Sequence, residues 1–288
     1  MDEGDVGLLE VYFESNKEVI SFCEQLFHYN KRIELQWKTN EKWGNQLIIN
    51  DYDDNAGNIE SIVKSMVDVV IEHRLNIMIR EVIKKKYYYS NHEEIERILD
   101  IAHGIVLGKD NQELVLDENP EKLLYTLFET NIKYASTVHF DSIINFRLNT
   151  FKDNLIYLIG LAIDEFKREE EHQAFINMLR EYVTNRDSVY PTIYILQGSS
   201  FIFYKPDGTR FSKRELKKIM KQEPLYIVGL DENEWNLAPL IAMAPLEIHI
   251  FGDFPFEPKT LTVINIFEEK VTFKPYNHFP FTHHFKKT

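Results

Sequence analysis

Residues 59–77, IESIVKSMVDVVIEHRLNI, decide the fold class. Ile59, Val63, Met66, Val70, His73 and Ile77 recur at spacings of three and four, which a 3.6-residue turn gathers into one apolar stripe. The pattern opens a long helical region. Upstream the period is that of strands. Leu8, Leu9, Val11, Tyr12 and Phe13 form a short apolar run suited to a buried strand, and Val19, Phe22, Cys23, Leu26 and Phe27 follow at helical spacing. Ile33, Leu35 and Trp37 alternate with polar residues, and after a turn over 40–45 Leu47, Ile48 and Ile49 make a partner strand. The start therefore reads β-α-β-β.

Downstream, Asn91 with Glu94 resembles a capping box ahead of Ile95, Ile98, Leu99 and Ala102. Asn119 and Pro120 supply an N-cap and a first-turn residue ahead of Leu123, Leu124, Leu127 and Phe128. A helix or helix pair is predicted from about Phe140 to Tyr182, with Phe151, Leu155, Leu158, Ala162 and Phe166 on one stripe. Tyr190 and Pro191 mark a boundary. Beyond it, 193–196 and 201–204 read as a hairpin, Pro206, Asp207 and Gly208 as a turn, and Ser212 with Glu215 as a capping box for a short basic helix. Helix over 235–243, strand over 248–251, helix over 261–267 and strand over 271–273 complete the chain. The expected class is α+β. The expected parts are an N-terminal β-α-β-β segment (1–56), a helical region (57–187), a C-terminal α/β region (188–276) and a flexible tail (277–288).

The 288 residues are 44% hydrophobic and 27% charged, and no apolar run approaches the roughly 18 to 20 residues a spanning helix needs. A soluble chain without membrane attachment is expected. The first ten residues carry acidic groups and no basic ones, unlike a secretory signal, so a cytoplasmic location is expected. Cys23 is the only cysteine, which excludes an intramolecular disulfide and a Cys-based zinc cage within one chain. A net charge of −13 disfavours general attraction to nucleic acid or anionic lipid, so only a local basic surface would bind them.

Three stretches resemble the YtxC-like proteins of endospore-forming bacteria. One is Tyr87, Tyr88 and Tyr89 followed by Glu93, Glu94, Ile95 and Ile98. The next is DSIINFRL at 141–148, continuing through Ala162, Ile163, Asp164, Glu165 and Phe166 to Phe175, Leu179 and Tyr182. The last is 234–250, where Leu240, Ile241, Ala242, Ala244 and Pro245 precede Glu247, Ile248, His249 and Ile250. They occur in the family's order, and the match fades after Lys274. The resemblance implies a sporulation context and brings no catalytic residue or ligand with it.

Gly104 to Asp110, GIVLGKD, fails as a phosphate loop on glycine spacing and on the residue after lysine, and a helix end capped by Gly104 or Gly108 explains it better. Glu169 with His172, and Asp100 with His103 as a carboxylate analogue, have a spacing used by metal ligands, but a di-metal bundle needs a second true Glu-x-x-His and two more inward-facing Glu residues, and a solvated face fits Glu169–Glu171 better. Cys23 and His73 sit on apolar stripes and read as core residues. His278, His283 and His284 read as a tail cluster rather than a fixed metal site. Lys84–Lys86 before Tyr87–Tyr89 offer a basic and aromatic pairing, with interior packing of the tyrosines preferred. No catalytic residue, metal or cofactor is expected.

Two candidate interaction sites remain. Arg147, between Phe146 and Leu148, is expected to join a structural ion pair or to bind an anion. Lys205, Arg210, Lys213, Arg214, Lys217, Lys218 and Lys221 form a basic segment, in which Arg214, Lys217, Lys218 and Lys221 share a helix face that would suit an acidic protein, phosphate or nucleic acid. The favoured reading is a non-enzymatic, sporulation-associated protein-interaction factor. The alternatives are a nucleic-acid-binding factor using 205–221 or a carboxylate-based enzyme.

Overall fold

The computed structural model describes residues 8–41, 44–50, 56–108, 120–231 and 233–281. The chain forms two compact units, 1–167 and 168–288. Helix and strand are mixed as expected, with strand-helix-strand at the start, a long helical middle and strands at the end.

In the first unit, β1 (Leu9–Phe13) and α1 (Asn16–Tyr29) lead to the antiparallel pair β2 (Leu35–Asn40) and β3 (Gly44–Ile49). Alternation in β1 turns Leu9, Val11 and Phe13 into the core, opposite Leu47 and Ile49 of β3. Each fully buried side chain of this size contributes roughly 1.5–3 kcal/mol. Gly44 starts β3 at φ +75, where an added Cβ would lie 2.6 Å from the Phe13 carbonyl oxygen, so only glycine fits.

The stripe that opens the helical region holds only in part. Helix α2 (Ala56–Val69) buries Ile62, Val63 and Met66, and α3 (Leu75–Lys85) buries Leu75, Ile79 and Ile83, but Ile77 is exposed. Between them Val70–Arg74 is a π-helical turn. Its wider loop rotates everything after it relative to a continuous α-helix, so the inward face shifts away from Ile77.

Helix α4 (His92–Val106) is capped by Asn91, whose side-chain oxygen accepts from the Glu93 and Glu94 amides at 2.8 and 3.3 Å. It ends with Gly108 at φ +63, the left-handed position expected of that glycine. Helix α5 (Pro120–Ile132) begins at the anticipated proline, while Asn119, Lys109 and Asp110 lie outside the described residues. A short strand, β4 (Thr137–His139), then pairs parallel to β1, giving the sheet order β2-β3-β1-β4. The sequence reading placed no strand here. The predicted helix pair follows as α6 (Phe140–Phe146) and α7 (Asn149–Thr184), the latter contributing residues to both units.

The tyrosine run of the family-like motif docks on α7. Tyr87 donates to the Ile156 carbonyl at 2.9 Å beside Gly160, and Tyr89 meets Phe166 edge-on. Tyr88, at φ 61 and 84% exposed, does not pack inward, which corrects the expectation for the middle tyrosine.

The second unit holds β5 (Thr192–Leu196), β6 (Ile202–Tyr204), β7 (Glu247–Gly252) and β8 (Val271–Pro275) in the order β6-β5-β7-β8. Its helices are α8 (Lys213–Lys221), α9 (Ala238–Met243) and α10 (Pro258–Phe267). One sheet face packs on the core of Ile193, Ile195, Ile248 and Ile250. On the other, Tyr194, Tyr204 and Phe251 are covered by Phe279 and Phe281. Among the described residues no helix is long and apolar enough to cross a membrane.

Candidate functional site

Arg147 follows the last turn of α6, its amide bonded to the Ile143 carbonyl at 2.9 Å. The ion pair expected of it is replaced by a neutral partner. Its guanidinium Nη1 donates to the side-chain oxygen of Asn131, and the Asn131 amide nitrogen donates to the Leu127 carbonyl at 2.7 Å. Arg147 makes no carboxylate contact among the described residues, and most of its five N–H donors remain open. It borders a cleft of about 550 Å³ formed by the end of α5, β4 and α6, with Tyr134, His139, Ser142 and Phe146 also on its wall. The His139 ring stacks on Tyr12, its register partner on β1, at 4.7 Å and 18°. Tyr134 and Phe146 stay 89% and 76% exposed.

The basic segment folds as expected into α8. The predicted capping box is complete, because Ser212 accepts from the Glu215 amide at 3.2 Å while the Glu215 carboxylate accepts from the Ser212 amide at 2.8 Å. Leu216 and Met220 anchor the helix in the core, leaving Lys213, Arg214, Lys217, Lys218 and Lys221 exposed. Lys205 is the member of the segment that is paired, 3.1 Å from Glu215 and over the Phe211 ring. The five exposed cations of α8 have no acidic partner among the described residues. Just after the helix, Glu223 pairs with Arg186 and fixes its exit, and Tyr226 and Ile227 are left exposed.

Hydrogen bonds from the Ser212 amide and hydroxyl and from Lys205 pull the Glu215 carboxyl down to about 2. A folded-state value below the unfolded one adds stability that is present above about pH 4.5 and lost as pH falls toward 2. Ser212→Ala is expected to cost about 1 kcal/mol and to flatten that acid limb, checked by urea unfolding at pH 7 and pH 3. Equal loss at both pH values would show that the cap does not hold Glu215.

A buried charge network was missed by the sequence reading. Arg74, carried by the π-turn, donates to both carboxylate oxygens of Glu18 on α1 (one bond at 2.8 Å) and to Asp141 on α6 at 2.7 Å. Asp141 also accepts from the Glu14 amide at 2.9 Å. Glu18 and Asp141 side chains are only 4% and 10% exposed, and the bonds to Glu18 raise the Arg74 pKa further. The available signal was an arginine inside an apolar helical run, but its partners lie far away in sequence.

Burial pushes the Cys23 thiol up to about 11, the opposite of what activates a nucleophile. His73 is half-buried, and its Nε2 makes no hydrogen bond, unlike the expectation, with a Glu72 carboxylate oxygen 3.8 Å away. Among the described residues no three His, Cys, Asp or Glu side chains are grouped to hold a metal, and His283 and His284 lie outside them.

A family model described as the YtxC-like family matches residues 60–272. A relative from Bacillus subtilis (strain 168), "Uncharacterized protein YtxC", is 28% identical over 217 residues, covering 72% of each chain. No solved structure matches the chain. The matched span contains Arg74, the Arg147 cleft and α8, but not Glu18 or the covering residues Phe279 and Phe281.

Proposed function

Because the chain belongs to the YtxC-like family, we propose that it is a sporulation-associated, intracellular, non-enzymatic interaction protein that holds an acidic protein partner on α8. The sporulation context comes from the family resemblance, and the single cysteine suits a reducing compartment. The observation that carries the reading is the set of five exposed, acid-free cations on one anchored helix. Charge is also unevenly distributed. Residues 1–167 hold 30 acidic and 18 basic side chains, against 16 and 15 in 168–288, so most of the −13 sits in the first unit. A basic face in the nearly neutral unit meets less repulsion of an acidic partner. Exposed Tyr226 and Ile227, in the turn Leu225–Val228 that follows α8 in the chain, favour protein over nucleic acid, since exposed tyrosines are common anchors of protein interfaces.

Affinity capture from sporulating cells tests this. The wild-type chain should retain a specific acidic protein, released by salt and lost when Lys213, Arg214, Lys217, Lys218 and Lys221 are all changed to Gln. DNA or RNA binding whose logarithm falls with log salt at a slope of roughly −4 to −5 would instead support the nucleic-acid reading, as five phosphate contacts would give. No specific partner, together with turnover of a small substrate, would overturn the proposal.

A further inference from the structure

The cleft beside Arg147 stands out against its surroundings. The first unit has nearly two acidic residues for each basic one, yet no Asp or Glu lines this cleft among the described residues. Another cleft of the unit, by contrast, mixes Asp68 and Glu121 with Lys64 and Lys122. Arg147 is the fixed charge on that wall, Lys133 adds a cation nearby over the Tyr134 ring at 5.6 Å, and the neighbouring carboxylate of Glu10, register partner of Thr137, is engaged by the Tyr12 hydroxyl at 2.9 Å. Asp141, on the same helix, faces away into its bond with Arg74.

The cleft is also prepared for a ligand. The Leu127–Asn131–Arg147 chain of hydrogen bonds fixes the guanidinium while leaving N–H groups free, and a planar fork suits a phosphate or carboxylate. The hydroxyls of Thr137 and Ser142 are exposed and make no hydrogen bond to other described residues. Tyr134 and Phe146 offer two aromatic rings to solvent at the rim, where burial against a flat ring would be favourable. A volume near 550 Å³ falls within the range of small-molecule sites and exceeds what a lone inorganic anion fills.

We infer that this cleft binds a small phosphorylated, ring-bearing molecule of nucleoside monophosphate size, with Arg147 on the phosphate, Tyr134 and Phe146 on the ring, and Thr137 and Ser142 toward sugar-like hydroxyls. The inference does not depend on the α8 reading. Calorimetric titration of the full chain with the four common ribonucleoside monophosphates, separately, tests it, with the parent nucleosides and inorganic phosphate as controls. At least one monophosphate should bind saturably and at least about tenfold more tightly than its nucleoside or inorganic phosphate, as expected for charge-assisted bonds added to ring contact. Arg147→Gln should weaken that monophosphate about tenfold and leave the nucleoside unchanged. Amide resonance shifts should centre on 130–147. Absence of saturable binding by all four, equal binding by wild type and R147Q, or shifts centred elsewhere would each overturn the assignment.

Discussion

Replacing Arg74 by methionine is expected to lower the stability of the first unit by about 3–5 kcal/mol, the range for breaking a buried ion pair by removing one partner. The cause is not the lost attraction alone. Glu18 and Asp141 are both almost wholly shielded from water, and without Arg74 each keeps a charge that neither solvent nor another cation compensates. Total stabilities of domains are typically about 5–15 kcal/mol, so the variant should be close to unfolding. Urea titration followed by circular dichroism measures the loss, and hydrogen exchange at β1 and α6 places it. The triple variant R74M/E18Q/D141N should recover a substantial part, because removing all three charges together leaves none stranded. A cost under about 1 kcal/mol for R74M, or no recovery in the triple variant, would show that these carboxylates are compensated in another way.

Phe140→Ala is expected to cost about 3–5 kcal/mol, as large-to-small changes of buried aromatics do. Phe140 is fully buried, packed against Phe13 at 4.8 Å and stacked on Phe128 at 5.8 Å, with Phe22 behind Phe13 at 5.2 Å. One ring thus joins β1, α5 and the start of α6, and its removal opens a cavity that three elements would have to move to fill. Phe140→Leu keeps most of the volume and should lose less. Thermal unfolding of both variants checks the order, and equal losses would mean that the site collapses freely around either side chain.

The sequence made local features legible and left distant ones hidden. The capping box at Ser212 and Glu215, the glycine end of α4 and the strand alternation of β1 each depend on neighbours within a few residues, so pattern and chemistry suffice to read them. The stripe through residues 59–77 was legible up to Val70. There the π-turn changes the phase, and nothing in the local pattern announces one extra residue in a turn. Strand β4 went unread because three residues cannot display a period, and its pairing comes entirely from β1. The two charge sites divide in the same way. The cations of α8 are visible because they are consecutive, whereas the Glu18–Arg74–Asp141 network exists only once residues from three separate segments meet. Arg147 was identifiable as a residue of interest, but its amide partner and the carboxylate-free cleft depend on how α5, β4 and α6 come together.

The pairing of β1 with β4 also sets an order of events during folding. β1 meets β3 across 32 to 40 positions, from Phe13↔Asn45 to Leu9↔Ile49, but its other edge waits for a segment more than a hundred residues later, a separation matched by the bond from the Glu14 amide to Asp141, 127 positions apart. Contacts this remote form late, because the loop must close before the contact rewards it. Until then the β1 edge carries unpaired backbone groups that another chain's strand can satisfy. Residues 137–139 are what close the β1 edge, and a chain paused before residue 137 keeps that edge open to another strand.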